Sequence, residues 1–139
     1  MNSDNFYLFN LPNHNDKRGM MCVGECGKEF PFTINRIFYD YNNEASSEPR
    51  GNHANKHSEF IFICLHGTCT IKVNDGLSEE IFIMNDPKKA LYTNKMVWKE
   101  MYDYSNDSVL LVLSNCKYDP DEYIRNFNEF LKIKRGEQQ

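Results

Sequence analysis

Between Pro49 and Phe60 the chain reads Pro-Arg-Gly-Asn-His-Ala-Asn-Lys-His-Ser-Glu-Phe, and an apolar run, Phe60 to Leu65, follows at once. Side chains of an extended segment alternate between faces, so His53, Asn55, His57 and Glu59 share one face, and Ala54, Lys56 and Ser58 take the other. Four polar groups on one wall need partners, water or a ligand. An imidazole titrates close to neutral pH. We read that wall as the floor of an active site.

The rest of the chain has to hold that wall in place. Phe6-Tyr7-Leu8-Phe9 reads as a short edge strand, followed by a turn from Pro12 to Asp16. Strands are predicted at Arg18 to Val23 and at Ile34 to Tyr41, with a loop at Gly24 to Lys28 between them and a polar loop at Asn42 to Pro49 after them. The histidine strand comes next and runs into the apolar one. After the turn at His66-Gly67, Thr68 to Val73 alternates cleanly, and Asn74-Asp75-Gly76 is a strong hairpin signal. Glu80 to Met84 is its partner strand, and Asn85-Asp86-Pro87 breaks it. Further strands are predicted at Leu91 to Thr93, Met96 to Tyr102 and Val109 to Leu113. A single helix is predicted over Asp121 to Lys134, begun by Asp119-Pro120, with Tyr123, Phe127, Phe130 and Leu131 as its apolar stripe. Many short strands with regularly spaced turns imply an all-β sandwich or jelly roll with a short C-terminal helix. The histidine strand then sits in a barrel mouth, where small-molecule sites form.

A length of 139 residues suits one domain, 1–139, with a proper core, and 14% aromatic residues favour strands. A net charge of −4 gives no reason to propose nucleic acid or an acidic membrane surface as a partner. No apolar run approaches membrane-spanning length. The opening Met1-Asn2-Ser3-Asp4-Asn5 is polar and lacks a basic start, so no leader is expected and the expected location is the cytoplasm. Five cysteines, at 22, 26, 64, 69 and 116, are an odd number. Cys22 and Cys26 have no second close Cys or His pair beside them, so free thiols are expected rather than a zinc site.

Several of these stretches together resemble a family. Asp16-Lys17-Arg18-Gly19, Phe30 to Arg36, Arg50 to Lys56, Asn74-Asp75-Gly76, Leu91-Tyr92 with Val97-Trp98, and Tyr118-Asp119 with Asp121 to Arg125 match, in order, the dTDP-4-oxo-6-deoxyglucose 3,4-ketoisomerases. These are small cupins that make 3-keto sugars for surface polysaccharides and antibiotics. The resemblance covers roughly residues 16–130, and it implies a cupin-type jelly roll (a double-stranded β-helix). It also implies a homodimer with N-terminal strands exchanged, a dTDP-linked 4-keto-6-deoxy sugar as ligand, and no cofactor or metal. In such a family the first histidine of the motif, His53, is the base. Asn55 stands where a second histidine is usual, Phe38 where a tyrosine is frequent, with Tyr39 next to it, and Lys99 where histidine or arginine is common.

A 3,4-keto shift needs a base for the C3 proton and donors or cations for the oxyanion that develops. The resemblance makes His53, Asn55 and Tyr39 the catalytic candidates. Arg18, Lys99 and the Asn55 amide are candidates to hold an oxygen. Arg36 and Arg50 suit a diphosphate gripped by guanidinium groups, and Arg36, between Ile34 and Ile37, invites a buried head that needs an anion. Tyr92, Trp98 and Tyr123 suit stacking on thymine, and Arg125 closes the Tyr-Ile-Arg motif as a further binding residue. Metal-dependent cupins carry His-x-His-x-x-x-Glu and a later histidine. Here the pattern is His53-x-Asn55-x-x-x-Glu59, with no histidine near Trp98, so no metal is expected, and Glu59 is read as orienting a neighbour. Two other functions fit the same residues. One is a nucleotide-sugar epimerase, which needs a second proton donor on the opposite sugar face. The other is a cupin that only binds a sugar nucleotide.

Overall fold

The computed structural model describes residues 4–41 and 48–137. Twelve strands alternate along the chain: β1 (Phe6–Asn10), β2 (Asn13–Asp16), β3 (Gly19–Cys22), β4 (Arg36–Tyr41), β5 (Arg50–Asn55), β6 (Phe60–His66), β7 (Cys69–Asn74), β8 (Glu79–Met84), β9 (Lys89–Thr93), β10 (Trp98–Tyr102), β11 (Val109–Ser114) and β12 (Tyr123–Ile124). Among the described residues one α-helix, α1 (Phe127–Glu137), follows β12. Two five-stranded antiparallel sheets face each other, in the orders β1-β9-β6-β11-β4 and β12-β5-β10-β7-β8, and β2 with β3 forms a separate hairpin. This is the all-β jelly roll that alternation and turn spacing predict.

The main core lies between the sheets. Phe60, Phe62 and Cys64 of β6 and Leu110 and Val112 of β11 meet Ile71 and Val73 of β7 and Met101 of β10. A second layer covers the outer face of the first sheet, where Ile61, Ile63 and Tyr92 pack under Leu11, Phe30 and Phe32. That explains why β6 is an unbroken apolar run: residues of both parities are buried from Phe60 to Cys64. A third cluster joins α1 to the back of the other sheet through Ala54, Trp98, Ile124 and Phe130. The Asn74-Asp75-Gly76 hairpin forms as expected, with Asp75 Oδ1 accepting from the backbone N–H groups of Leu77 and Ser78 and Gly76 at a φ of +93°.

Three local expectations change, and most of a fourth falls outside the described residues. Residues 13–16 form strand β2 rather than a turn. Positions 42–47 of the polar loop lie outside the described residues. The predicted helix start at Asp121 is wrong: Asp119 caps a single 3-10 turn, Pro120–Glu122, and the chain then extends into β12. The pairing of Tyr123 with Asn55 and Ile124 with Ala54 is what overrides the helical pattern, so Tyr123 is not on the helix stripe. Finally, the histidine strand stops at Asn55. The buried Glu122 carboxylate accepts the N–H groups of His57 at 3.0 Å and Ser58 at 2.8 Å, bending the chain there. β5 and β6 therefore belong to different sheets.

Candidate active site

A cavity of about 180 Å³ opens between the two sheets. Arg36, Phe38 and Asp40 reach it from β4, Arg50 and His53 from β5, Lys99 and Met101 from β10, with Phe60, Phe62 and Tyr123 closing it. Alternation explains the choices on β4 and β10, where residues of one parity face inward together; on β5, Arg50 and His53 differ in parity, and Gly51 and Asn52 between them, both at positive φ, break the alternation so that both reach the cavity. β5 delivers His53 and Asn55 on the inner side and Ala54 to the helix side. Gly51, at a φ of +84°, is required where β5 crosses β10, since a Cβ there would stand 2.7 Å from the Lys99 carbonyl oxygen.

His53 donates from Nδ1 to the Gly51 carbonyl at 2.9 Å, because a carbonyl only accepts. Its Nε2 is then the bare, basic nitrogen. Burial, with the neighbouring Lys99 charge second, pushes the imidazole down to about 4, so it is neutral at pH 7. Its ring lies 4.7 Å from that of Tyr123. Lys99 is fully buried. Its Nζ donates to the Val97 carbonyl at 3.0 Å and to Asn55 Oδ1 at 3.3 Å, and it stands 4.6 Å over the Phe60 ring. Burial lowers the ammonium to about 7, against the raising influence of the Glu122 charge. Asn55 itself is wholly buried and holds Lys99 rather than lining the cavity. Burial pushes the Glu122 carboxyl up, but hydrogen bonds from the Ser58 hydroxyl and from the backbone of His57 and Ser58 outweigh it and hold the carboxyl below the usual range.

Arg36 brings its guanidinium to the cavity. Its Nη1 is buried with no hydrogen-bond partner among the described residues, its Nη2 reaches the Tyr123 hydroxyl at 3.5 Å, and its guanidinium lies 4.8 Å over Phe38. An unpaired buried N–H of this kind is unfavourable until an acceptor arrives. Arg50 sits at the rim, 3.8 Å from Asp40. Arg125 covers the outer side of Tyr123 at 4.7 Å, and its charge helps to depress His53.

The other expected residues stand elsewhere. Because Arg36, Phe38 and Asp40 face in, Tyr39 faces out and is exposed beside Tyr41. Because Lys99 faces in, Trp98 faces out, packed against Phe127 at 5.3 Å and Phe130 at 5.9 Å, with its Nε1 donating to Glu100. Tyr92 lies on the outer face of the other sheet, stacked on Tyr7 at 4.9 Å and hydrogen-bonded to Glu59. Glu59 thus orients Tyr92 and Asn115, as an orienting residue should, but away from the cavity. His57 leaves the predicted face at the bend and lines a different hollow with Lys56 and Lys95. Arg18 is at the β2–β3 turn, exposed and paired with Asp16 at 2.6 Å. Cys22, Cys26, Cys64, Cys69 and Cys116 are free thiols. Among the described residues no group of three His, Cys, Asp or Glu side chains stands together to hold a metal ion.

Sequence reasoning missed Asp40 and Glu122. Asp40 has the parity of Arg36, so singling out Arg36 on a strand was the available signal. Glu122 was hidden by the helical reading of residues 121–134.

Comparisons with known proteins bear on this cavity. Residues 4–135 match the model of a family described as FdtA: WxcM-like, C-terminal. The TDP-4-oxo-6-deoxy-alpha-D-glucose-3,4-oxoisomerase of Aneurinibacillus thermoaerophilus is 38% identical over 117 residues, 84% of each chain. The structure of WlaRA, a TDP-fucose-3,4-ketoisomerase from Campylobacter jejuni, superposes with a TM-score of 0.87 at 42% identity, covering 94% of this chain and 96% of that one. QdtA, a sugar 3,4-ketoisomerase from Thermoanaerobacterium thermosaccharolyticum in complex with TDP, gives 0.89 at 32% identity, covering 96% and 97%.

Proposed function

We propose a reaction for this chain on one premise: it belongs to the FdtA family, WxcM-like C-terminal. The protein is an isomerase, a TDP-sugar 3,4-ketoisomerase, that moves the carbonyl of TDP-4-keto-6-deoxyglucose from C4 to C3. The observation that carries this reading is the neutral His53 with a bare Nε2, facing a cavity that also holds a buried cation, Lys99. The C4 carbonyl acidifies the C3 hydrogen. His53 Nε2 takes that proton, the C3–H electron pair becomes the C3=C4 bond, and the carbonyl electrons move to O4. The Lys99 ammonium supplies positive charge for that oxygen, in a cavity whose Phe38, Phe60, Phe62 and Met101 walls keep the local dielectric low. Transfer of the O3 proton to O4 and protonation of C4 complete the 3-keto sugar. Arg36, with its unpaired Nη1, and Arg50 at the rim are the groups that fit the diphosphate. Tyr123 and Arg125 flank them.

A homodimer belongs to this reading. Met20 and Met21 on β3 and Ile37, Tyr39 and Tyr41 on β4 are exposed apolar side chains that a second copy would cover. In the single chain β1 pairs with its own β9, and exchange would repeat that pairing across two subunits. Arg18 on the hairpin would then reach substrate only from the partner. Among the described residues no helix is long and apolar enough to cross a membrane. The 3-keto product would supply a 3-amino-3,6-dideoxy sugar. The test is incubation with TDP-4-keto-6-deoxyglucose and a 3-aminotransferase, since only an isomerised sugar becomes a 3-amino product. Binding of the substrate without any 3-amino product would leave the protein a sugar-nucleotide binder.

A further inference from the structure

The reaction has two proton steps on carbon, and His53 accounts for one. Five charged or hydroxyl groups besides His53 border the cavity. Arg36 and Arg50 carry guanidinium groups, which suit holding an anion rather than donating a proton. Asp40 is engaged by Arg50 at 3.8 Å and by the Tyr104 hydroxyl at 3.5 Å. The Tyr123 hydroxyl accepts from Arg36. Lys99 remains, held among the described residues by two acceptors, Val97 O and Asn55 Oδ1, although an ammonium has three N–H groups. His53 and Lys99 are opposed residues of the antiparallel pair β5–β10, so their side chains rise from the same face of one sheet.

We propose that Lys99 is a catalytic residue, the acid that protonates C4 after His53 has taken the proton from C3. The inference rests on the ketoisomerase reading above. The steps balance as follows. His53 Nε2 gains the C3 proton and becomes cationic, and the enediolate forms. As the proton on O3 passes to O4 and the C3–O3 bond becomes a carbonyl, the C3=C4 pair takes a proton from the Lys99 ammonium. Lys99 is left neutral and His53 protonated, and solvent exchange on product release restores both. The order is favoured electrostatically. Lys99 and His53 repel each other when both are cationic, so protonation of His53 eases the proton off Lys99, while the Glu122 carboxylate behind them faces both.

The shared wall has a stereochemical consequence. In a gluco ring the hydrogens on C3 and C4 point to opposite faces. A proton delivered to C4 from the wall that removed the C3 hydrogen gives the galacto arrangement instead. The experiment follows TDP-4-keto-6-deoxyglucose by NMR with wild type and Lys99→Met, a substitution of similar length that suits an apolar surround. Wild type is expected to form only the galacto product and, from substrate deuterated at C3, to put no deuterium on C4. Lys99→Met is expected to slow C3 exchange, because the charge beside O4 is lost, and to lose conversion by a further hundredfold or so, as for loss of a general acid, while still binding TDP. A gluco product, deuterium carried from C3 to C4, or conversion and C3 exchange falling by the same factor in Lys99→Met would overturn the assignment. The wild-type measurements decide it even if the variant does not fold. Wild type that neither exchanges at C3 nor converts would remove the ketoisomerase reading itself, which separates the two failures.

Discussion

The proposed base, His53, can accept a proton only in its neutral form. Burial and Lys99 push its pKa down to about 4, so kcat/KM should hold as pH falls through 6.5 and drop only near 4. His53→Asn keeps size and some hydrogen bonding but removes the titrating nitrogen. Its turnover should fall by about a hundredfold or more with TDP affinity little changed. A pH–rate profile of wild type beside this variant checks both, and near-normal turnover would take the base away from His53. Lys99 makes an opposite demand on stability. Its folded pKa of about 7 lies below the ordinary 10.5, so from 10.5 downwards the unfolded chain holds the proton more tightly, and below about 7 the full penalty of burying the charge is present. Lys99→Met should therefore raise unfolding free energy at pH 7 by on the order of a few kcal/mol, a gain that shrinks as pH rises towards 10.5. Urea melts at pH 7 and 10 measure it. At this scale the sequence was half legible. Lys99 and Trp98 are adjacent on one strand and cannot share a face, and the same holds for Arg36 and Tyr39. Assigning all four to the site was inconsistent with the strands that were themselves predicted. Fixing the parity with one charged residue would have sent Trp98 and Tyr39 outward.

The elements show where a local pattern loses to a distant partner. Residues 121–134 carry a helical stripe, yet Tyr123 and Ile124 pair with β5 and only Phe127 onward coils. The histidine strand reads as continuous with β6, yet Glu122, more than sixty residues away, takes the backbone N–H groups of His57 and Ser58 and splits it. Neither effect has a local signature, because both arise from a carboxylate and a strand that the chain supplies much later. The edge strand at Phe6 was legible from its aromatic cluster, and the structure gives it a measurable task. Phe6 is 2% exposed, packs edge-on against Phe82 at 6.3 Å, and its strand closes the edge of β9. Phe6→Ala should cost about 3–5 kcal/mol, read as a lower urea midpoint. Deleting residues 1–11 uncovers β9 as an open edge and should give aggregation or loss of the dimer. A soluble, monomeric and fully active truncation would contradict that, and with it the proposed exchange.

Two facing sheets, a cavity between them and an apolar surround make ligand binding a property of the whole barrel, since the lining comes from five strands of both sheets. The class of fold was legible because alternation and turn residues recur along the chain. Which strands share a sheet was not, because pairing joins residues such as Phe38 and Val112 that are far apart in sequence. The donor set about the cavity includes a single imidazole, so a chelator should leave turnover intact, and a requirement for stoichiometric transition metal would contradict this. Arg36 ties ligand to global stability with two opposite signs. Without an anion, its buried Nη1 has no acceptor, which weakens the fold. In the proposed complex with TDP, the same atom would gain a charge-assisted partner. Saturating TDP, at a hundredfold excess over Kd, should stabilise by about 2.7 kcal/mol, or roughly 10 °C in Tm for a chain of this size. Arg36→Met should leave the ligand-free Tm unchanged or raise it, and should remove most of the TDP-induced shift. Thermal melts at one fixed protein concentration, with and without TDP, read both. If Arg36→Met lowered the ligand-free Tm and kept the full shift, Arg36 would be holding the barrel together rather than the diphosphate.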